Sequence, residues 1–288
     1  MKTDLSHLPE NKRSELGAII SAVIPRFSEI EMIILFGSYS TGKWVEDSYI
    51  EKGITYEYKS DYDLLIILSK TAQANSEALT DNITGTIDSL NLATPVTPIF
   101  HSVEFVNAAL SEGNYFFNDI QDFGTLLFTT NRYQLAPKRK LSAEETKAKA
   151  ERDFNNWFES ANDFYSQFQY ALGQGKLNVA AFLLHQAVER YFNTVQLVFT
   201  GYKSKTHNIE ILGKIANSCD IRFSKIFPQA TVQEKNRFKL LKKAYKDARY
   251  DMDFTISMED IQYLSERVEL LKKLTAEICR DKINSFVE

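Results

Sequence analysis

Cysteine is nearly absent: Cys219 and Cys279 are the only two in 288 residues. Two thiols cannot staple a chain of this length, and their spacing fits no metal-ligand pattern. The sequence therefore reads as that of a protein of a reducing, cytoplasmic compartment. Eleven glycines and six prolines exclude collagen-like and proline-rich architectures. Long apolar runs are missing too. The start, MKTDLSHLPENKR, has no signal-peptide stretch, and runs such as Leu64–Leu68 are too short to cross a bilayer, so no membrane contact is expected. Basic residues are in slight deficit, 34 Lys and Arg against 38 Asp and Glu, which argues against a protein that coats nucleic acid non-specifically. What is present is 44% hydrophobic and 25% charged residues, the mix of a packed chain, and enough length for two domains of ordinary size.

The texture changes near residue 135. Before it, short β-rich runs alternate with helical ones. Leu16, Ile19, Ile20, Val23, Ile24 and Phe27 recur at helical spacing, with Pro25 near the helix end. Strands are expected over 32–36, 54–58, 64–68, 95–101 and 124–130, with helices over 75–92, 102–110 and 115–122. Pro98 suits an edge strand. Interleaving of this kind predicts one mixed sheet covered by helices. After a basic connector over 132–141, nearly everything reads as helix. Ser142 with Glu145, Thr231 with Glu234 and Ser257 with Asp260 carry capping-box spacing. The segment 178–199 is apolar nearly all round and reads as the central helix of an up-and-down bundle of about five. The fold class expected is α+β: a mixed sheet with helices over 1–135, then an all-α bundle over 142–288.

The chemistry concentrates in ILFGSYSTGKWVEDSYIEKGITYEYKSDYDLLIIL. A strand ends in Gly37-Ser38, and a second strand opens with Asp61-x-Asp63. Alternate strand residues share a face, so both carboxylates point the same way. Two such carboxylates repel unless a cation lies between them, and their oxygens suit a hard ion, Mg²⁺ or Mn²⁺. A Gly-Ser turn lets backbone N–H groups and a hydroxyl approach phosphate. Metal and phosphate donor brought together are what phosphoryl or nucleotidyl transfer needs.

These residues resemble the minimal nucleotidyltransferase branch of the DNA polymerase beta-like superfamily, whose Gly-Ser turn and Asp-x-Asp are matched by Gly37, Ser38, Asp61 and Asp63. The resemblance implies a nucleoside triphosphate donor, Mg²⁺ ligated by Asp61 and Asp63, and transfer of a nucleoside monophosphate to a hydroxyl on a protein, RNA or small molecule. Two departures stand out. The segment from Lys43 to Lys59 is longer than in many members and is expected to form a lid or hairpin beside the site, with Lys43 able to reach a triphosphate. The family's third carboxylate, on a later strand, is missing from Pro95-Val96-Thr97-Pro98-Ile99-Phe100, and neither Asp88 nor Glu104 is well placed. A catalytically weak, nucleotide-sensing module is therefore the alternative to an enzyme.

Residues 142–288 resemble the HEPN superfamily, through YKSKTHNIEIL at 202–212 and Ala248-Arg249-Tyr250-Asp251. HEPN ribonucleases carry an Arg followed by four to six residues and then His. After Arg249 those offsets hold Phe254, Thr255 and Ile256, so the acid/base imidazole is missing. Lys203, Lys205, His207, Arg249 and Tyr250 are expected to converge on a phosphate or nucleotide pocket. The competing readings make Arg249 a helix-end cation paired with Asp251 or Asp253, and His207 a helix N-cap group. The resemblance implies a homodimer and a link to toxin–antitoxin or defence systems. The aromatic stretch with Phe154, Trp157, Phe158, Phe164, Tyr165 and Phe168 is expected in the core or at a contact between subunits.

Overall fold

The computed structural model describes residues 1–51 and 54–287, with only the backbone of 47–51 and 54–59. The chain divides into two compact units, Met1–Lys140 and Leu141–Glu288.

In the first unit a four-stranded sheet runs in the order β5-β4-β1-β6. Its strands are β1 (Ile30–Phe36), β4 (Tyr62–Leu68), β5 (Val96–Ser102) and β6 (Thr125–Thr129). The central pair β1/β4 is antiparallel, and β5 joins β4 in parallel through α3 (Thr71–Ala74) and α4 (Glu77–Asp88). Both central strands are buried along almost their whole length, as strands covered on two faces must be. Ile33, Leu35, Leu64, Ile66 and Leu68 pack with Leu16, Ile19 and Val23 of α1 (Glu10–Val23) and with Ile83 and Ile87 of α4. Burying one such side chain stabilises by about 1.5–3 kcal/mol, so these two strands anchor the unit. On the opposite face, Phe36 meets Phe116 of α6 (Tyr115–Phe123), which follows α5 (Val103–Ser111). Pro98 lies on the edge strand β5, where its missing N–H costs no sheet hydrogen bond. Between β1 and β4 stand α2 (Gly37–Thr41) and a hairpin of β2 (Glu46–Glu51) and β3 (Ile54–Lys59). The expected mixed sheet is thus found, and the inserted segment is a hairpin.

The second unit is helical. It comprises α7 (Ala143–Gly173), α8 (Leu177–Thr200), α9 (Ile209–Cys219), a 3₁₀ turn (Ile221–Lys225), α10 (Val232–Lys243), the short α11 (Asp247–Tyr250) and α12 (Met258–Asn284). All three anticipated N-caps form. Ser142, Thr231 and Ser257 each accept the N–H three residues on, and Glu145 and Glu234 return the bond. The helix α8 packs against α7, α9, α11 and α12. Its buried face is not wholly apolar, since His185, Glu189, Asn193, Thr194 and Gln196 are buried with the aliphatic side chains. No described helix is long and apolar enough to cross a membrane.

Candidate functional site

The register of β1 on β4 places Phe36 opposite Asp63, so the turn that follows Phe36 stands over the acid. Gly37 enters α2 at φ +72°, the left-handed region where a side chain is strained. A Cβ on Gly37 would lie 2.1 Å from Asp63 Oδ2, well inside van der Waals contact. Glycine is therefore required twice, by the backbone and by the carboxylate pressed against it. Burial first, and the charge of Asp61 second, hold the Asp63 carboxyl well above the usual carboxylate range. The turn and the paired aspartates form one site.

Thr97 is the β5 neighbour of Asp63, and its hydroxyl donates to Asp61 Oδ2. The strand that lacks a third acid thus offers a neutral donor at that register. The two alternatives are placed elsewhere. Glu104, in the first turn of α5, accepts from Thr71, and Asp88 ends α4. Among the described residues no group of three acids, histidines or cysteines is gathered tightly enough to ligate a metal. The donor set is two carboxylates, one destabilised as an anion by burial and by its neighbour. Such a pair fits a single hard divalent cation and is short of oxygens for two. The carboxylates of Asp47, Glu51 and Glu57 lie outside the described residues.

The remaining predicted residues scatter along α2. Ser38 is half-buried, and its hydroxyl has no partner among the described residues. Lys43 is exposed and lies beyond the far end of α2, past Gly42 at φ +77°, with its backbone N–H on Ser38 O at 2.9 Å. Beneath α2 is a network that the sequence did not reveal. Lys12 is 4% exposed and bonds both Glu46, at the root of the hairpin, and Thr94 Oγ1 at 2.6 Å. Burial opposes its charge, but Glu46 and Tyr39 together outweigh it and the Lys12 pKa is raised. Tyr39 donates to the same Glu46 and stacks on Trp44 at 5.4 Å. The hairpin root is thereby tied to α1 and α2.

In the helical unit, His207 and Arg249 lie on either side of Tyr245. His207 stacks on that ring at 4.8 Å, and the Arg249 guanidinium sits 4.9 Å from it. Arg249 also faces Phe182 and Tyr250, and its Nε donates to Tyr245 O at 2.8 Å. It forms no ion pair with Asp251 or Asp253 among the described residues. His207 is not the N-cap of α9. Asn208 holds that place, and His207 Nδ1 donates to the buried Glu189 at 3.0 Å. Lys203 does not join this group, because its ammonium lies 5.4 Å from the Trp157 ring. Phe254 and Ile256, which occupy ribonuclease-histidine offsets, are each 6% exposed and belong to the helical core. Phe154, Tyr165 and Phe168 are core as expected, with Phe158 and Phe164 packed beside them. Glu189 escaped the sequence reading, although an acid in the middle of an apolar helix is itself a signal.

Residues 154–279 match the HEPN domain family. A comparison with curated proteins finds no match. The helical unit therefore contains a HEPN domain.

Proposed function

We propose that the N-terminal unit is a nucleotidyltransferase-type module that takes one Mg²⁺-bound nucleoside triphosphate. The observation that carries this reading is the carboxylate of Asp63 packed against Gly37. Two acids and bare backbone meet there, in a position where no other residue than glycine fits. Asp61 and Asp63 would hold the cation, and the Gly37-Ser38 turn would present backbone N–H groups and the unpartnered Ser38 hydroxyl to the triphosphate. Bound Mg²⁺ would neutralise charge on the phosphates. In transfer, an acceptor hydroxyl oxygen bonds to the α-phosphorus, pyrophosphate leaves, and the hydroxyl proton passes to solvent. The HEPN domain would serve without the Arg–His ribonuclease pair.

A second reading has its own support. Thr97 in place of an acid leaves the site with two carboxylates, enough to bind a metal–nucleotide complex but poorly equipped to drive turnover, which suits a nucleotide sensor. Incubation with α-labelled triphosphates, Mg²⁺ or Mn²⁺, and the protein or a cell extract separates the two. Label transferred in wild type and lost in Asp63→Asn supports the enzyme, and binding without transfer supports the sensor. Absence of binding in wild type, or binding undiminished in Asp61→Asn/Asp63→Asn, overturns both.

A further inference from the structure

Two cations crowd one indole in the helical unit. The Arg190 guanidinium of α8 lies 5.3 Å from the Trp157 ring of α7 and 4.7 Å from Phe164. The Lys203 ammonium, from the segment after α8, lies 5.4 Å from the same Trp157. Like charges gathered this way repel, and neither is in an ion pair among the described residues. Each aromatic contact is worth only about 0.5–2 kcal/mol, and a carboxylate partner would compensate both charges more effectively. None is supplied, although the chain as a whole is acidic.

The groups around them are left wanting a ligand. Arg190 Nε is buried with no hydrogen-bond partner. Asn193, one turn further along α8 and 0% exposed, has neither its amide nitrogen nor its carbonyl oxygen bonded. Ser204, next to Lys203, has a buried, unbonded hydroxyl. An unmet buried polar group ordinarily costs about 1–3 kcal/mol, so several together call for a common partner. Ser204 is itself held down, its backbone N–H donating to Gln196 Oε1 at 3.1 Å, which fixes the segment against α8. The unmet groups are mostly donors, a guanidinium N–H, an amide and a hydroxyl, and beside them the Lys203 ammonium, which gives one bond to Ser204 O at 3.1 Å, has further N–H groups to donate. An acceptor-rich anion satisfies such a set, and a tetrahedral phosphate offers the most acceptors.

We propose that Arg190, Lys203, Asn193 and Ser204, beside Trp157, form a binding site for a phosphate group. This site is separate from the Arg249–Tyr245–His207 stack and from the aspartate pair. Arg190 supplies the planar fork and Lys203 the mobile charge, and Trp157, in contact with both cations, senses what binds them.

The indole makes the site readable. Trp44 and Trp157 are the two tryptophans of the chain. In a Trp44→Phe, Asp61→Asn, Asp63→Asn protein, emission excited at the red edge reports Trp157 alone, and the first unit's acids no longer contribute. Titration with inorganic phosphate and with a nucleoside monophosphate should give a saturable change. Arg190→Gln and Lys203→Gln should each weaken it by about tenfold or more, the loss of one charge-assisted hydrogen bond. Equal binding of the two assigns the phosphate alone, and tighter binding of the nucleotide assigns further contacts to its nucleoside. Lys203→Gln lies outside the helices and leaves the fold in place should Arg190→Gln disturb it, with helical circular dichroism as the check. No saturable response to either ligand, or a response unchanged in Lys203→Gln, overturns the proposal.

Discussion

Gly37→Ala tests the geometry on which the N-terminal site depends. Two costs are added. The alanine must keep φ near +72°, which costs about 1–2 kcal/mol for a residue with a Cβ. Its methyl must also displace Asp63 Oδ2, 2.1 Å away, with Asp63 Cγ at 3.1 Å. Overpacking of this kind costs about 1–3 kcal/mol. The expected loss is therefore about 2–5 kcal/mol if the carboxylate holds its place. If the carboxylate swings aside the loss is smaller, but the acid no longer faces the turn and cation-dependent nucleotide binding goes with it. Gly42→Ala is the internal control. Its φ is +77°, and the nearest atom to an added Cβ is on His7 at 4.0 Å. It should lose only the backbone cost, about 1–2 kcal/mol. Urea unfolding followed by Trp44 emission in a Trp157→Phe background reads the first unit by itself, since Trp44 stacks on Tyr39 of α2. Calorimetry with Mn²⁺ and a triphosphate reads the site. Equal destabilisation by the two substitutions, with nucleotide binding intact in Gly37→Ala, would refute the reasoning.

Other consequences follow from particular groups. Glu46→Ala should destabilise the first unit by about 1–3 kcal/mol, between the values for exposed and buried pairs, because it strands the buried Lys12 ammonium. Lys12→Met should cost less by the same urea measurement, since it removes the buried charge and leaves behind a Glu46 whose side chain is 40% exposed to solvent. His185 is buried, donates from Nδ1 to Leu241 O at 2.9 Å, and has its pKa lowered, chiefly by burial. The unfolded chain therefore takes up a proton that the folded one refuses. Stability is full above the ordinary histidine value near 6.5 and falls below it, by up to about 1.4 kcal/mol per pH unit, until the folded value is reached. Tyr245 packs against the ring at 5.3 Å, His207 stands near it, and the Glu189 carboxylate opposes the lowering without cancelling it. His185→Gln should flatten the fall between pH 7 and 5, and an unchanged slope in urea titrations would assign it to other groups. Finally, a labelled RNA incubated with the protein in EDTA should remain intact, and cleavage that disappears in Arg249→Ala would contradict the absence of an acid/base histidine.

The legible part of this chain is the part written in periodicity and local chemistry. The buried run at Leu64–Leu68, the edge proline and the three N-caps each depend on residues a few positions apart, and the structure contains all of them. The adjacency of Gly37 and Asp63 was also readable, because a strand ending in Gly-Ser and a strand opening on acids must pair to bring them together. What escaped depends on contacts between distant segments. Thr97 reaches Asp61 across 36 positions, and Lys12 reaches Thr94 across 82. For His207 the sequence leaves open a pocket or a helix cap; Asn208 caps the helix, and the packing of the distant Glu189 turns His207 toward it. Lys203 was grouped with Arg249 by type, whereas the rings of Trp157 and Tyr245 draw the two cations to different places.

The offsets after Arg249 show why the missing histidine is more than a substitution at the surface. Phe254 and Ile256 belong to the same core cluster as α8 and α12, and Phe254 O accepts from Asn178 Nδ2 at 2.9 Å. The segment that follows Arg249 is thereby fastened to the start of α8. A histidine at either position would bury an imidazole among apolar side chains, losing the aromatic or aliphatic packing and leaving ring nitrogens without partners. Thr255, between them, is exposed but lies on the opposite side of an extended stretch. Arg249 is exposed and lies against the rings of Phe182, Tyr245 and Tyr250 instead. Restoring an imidazole therefore takes more than one exchange. Thr255→His alone should fold normally and still leave RNA uncleaved, whereas Ile256→His should lower the urea midpoint before any activity can be tested. If Thr255→His cleaves RNA, Arg249 is poised for catalysis, and its contacts with the three rings are no barrier to it.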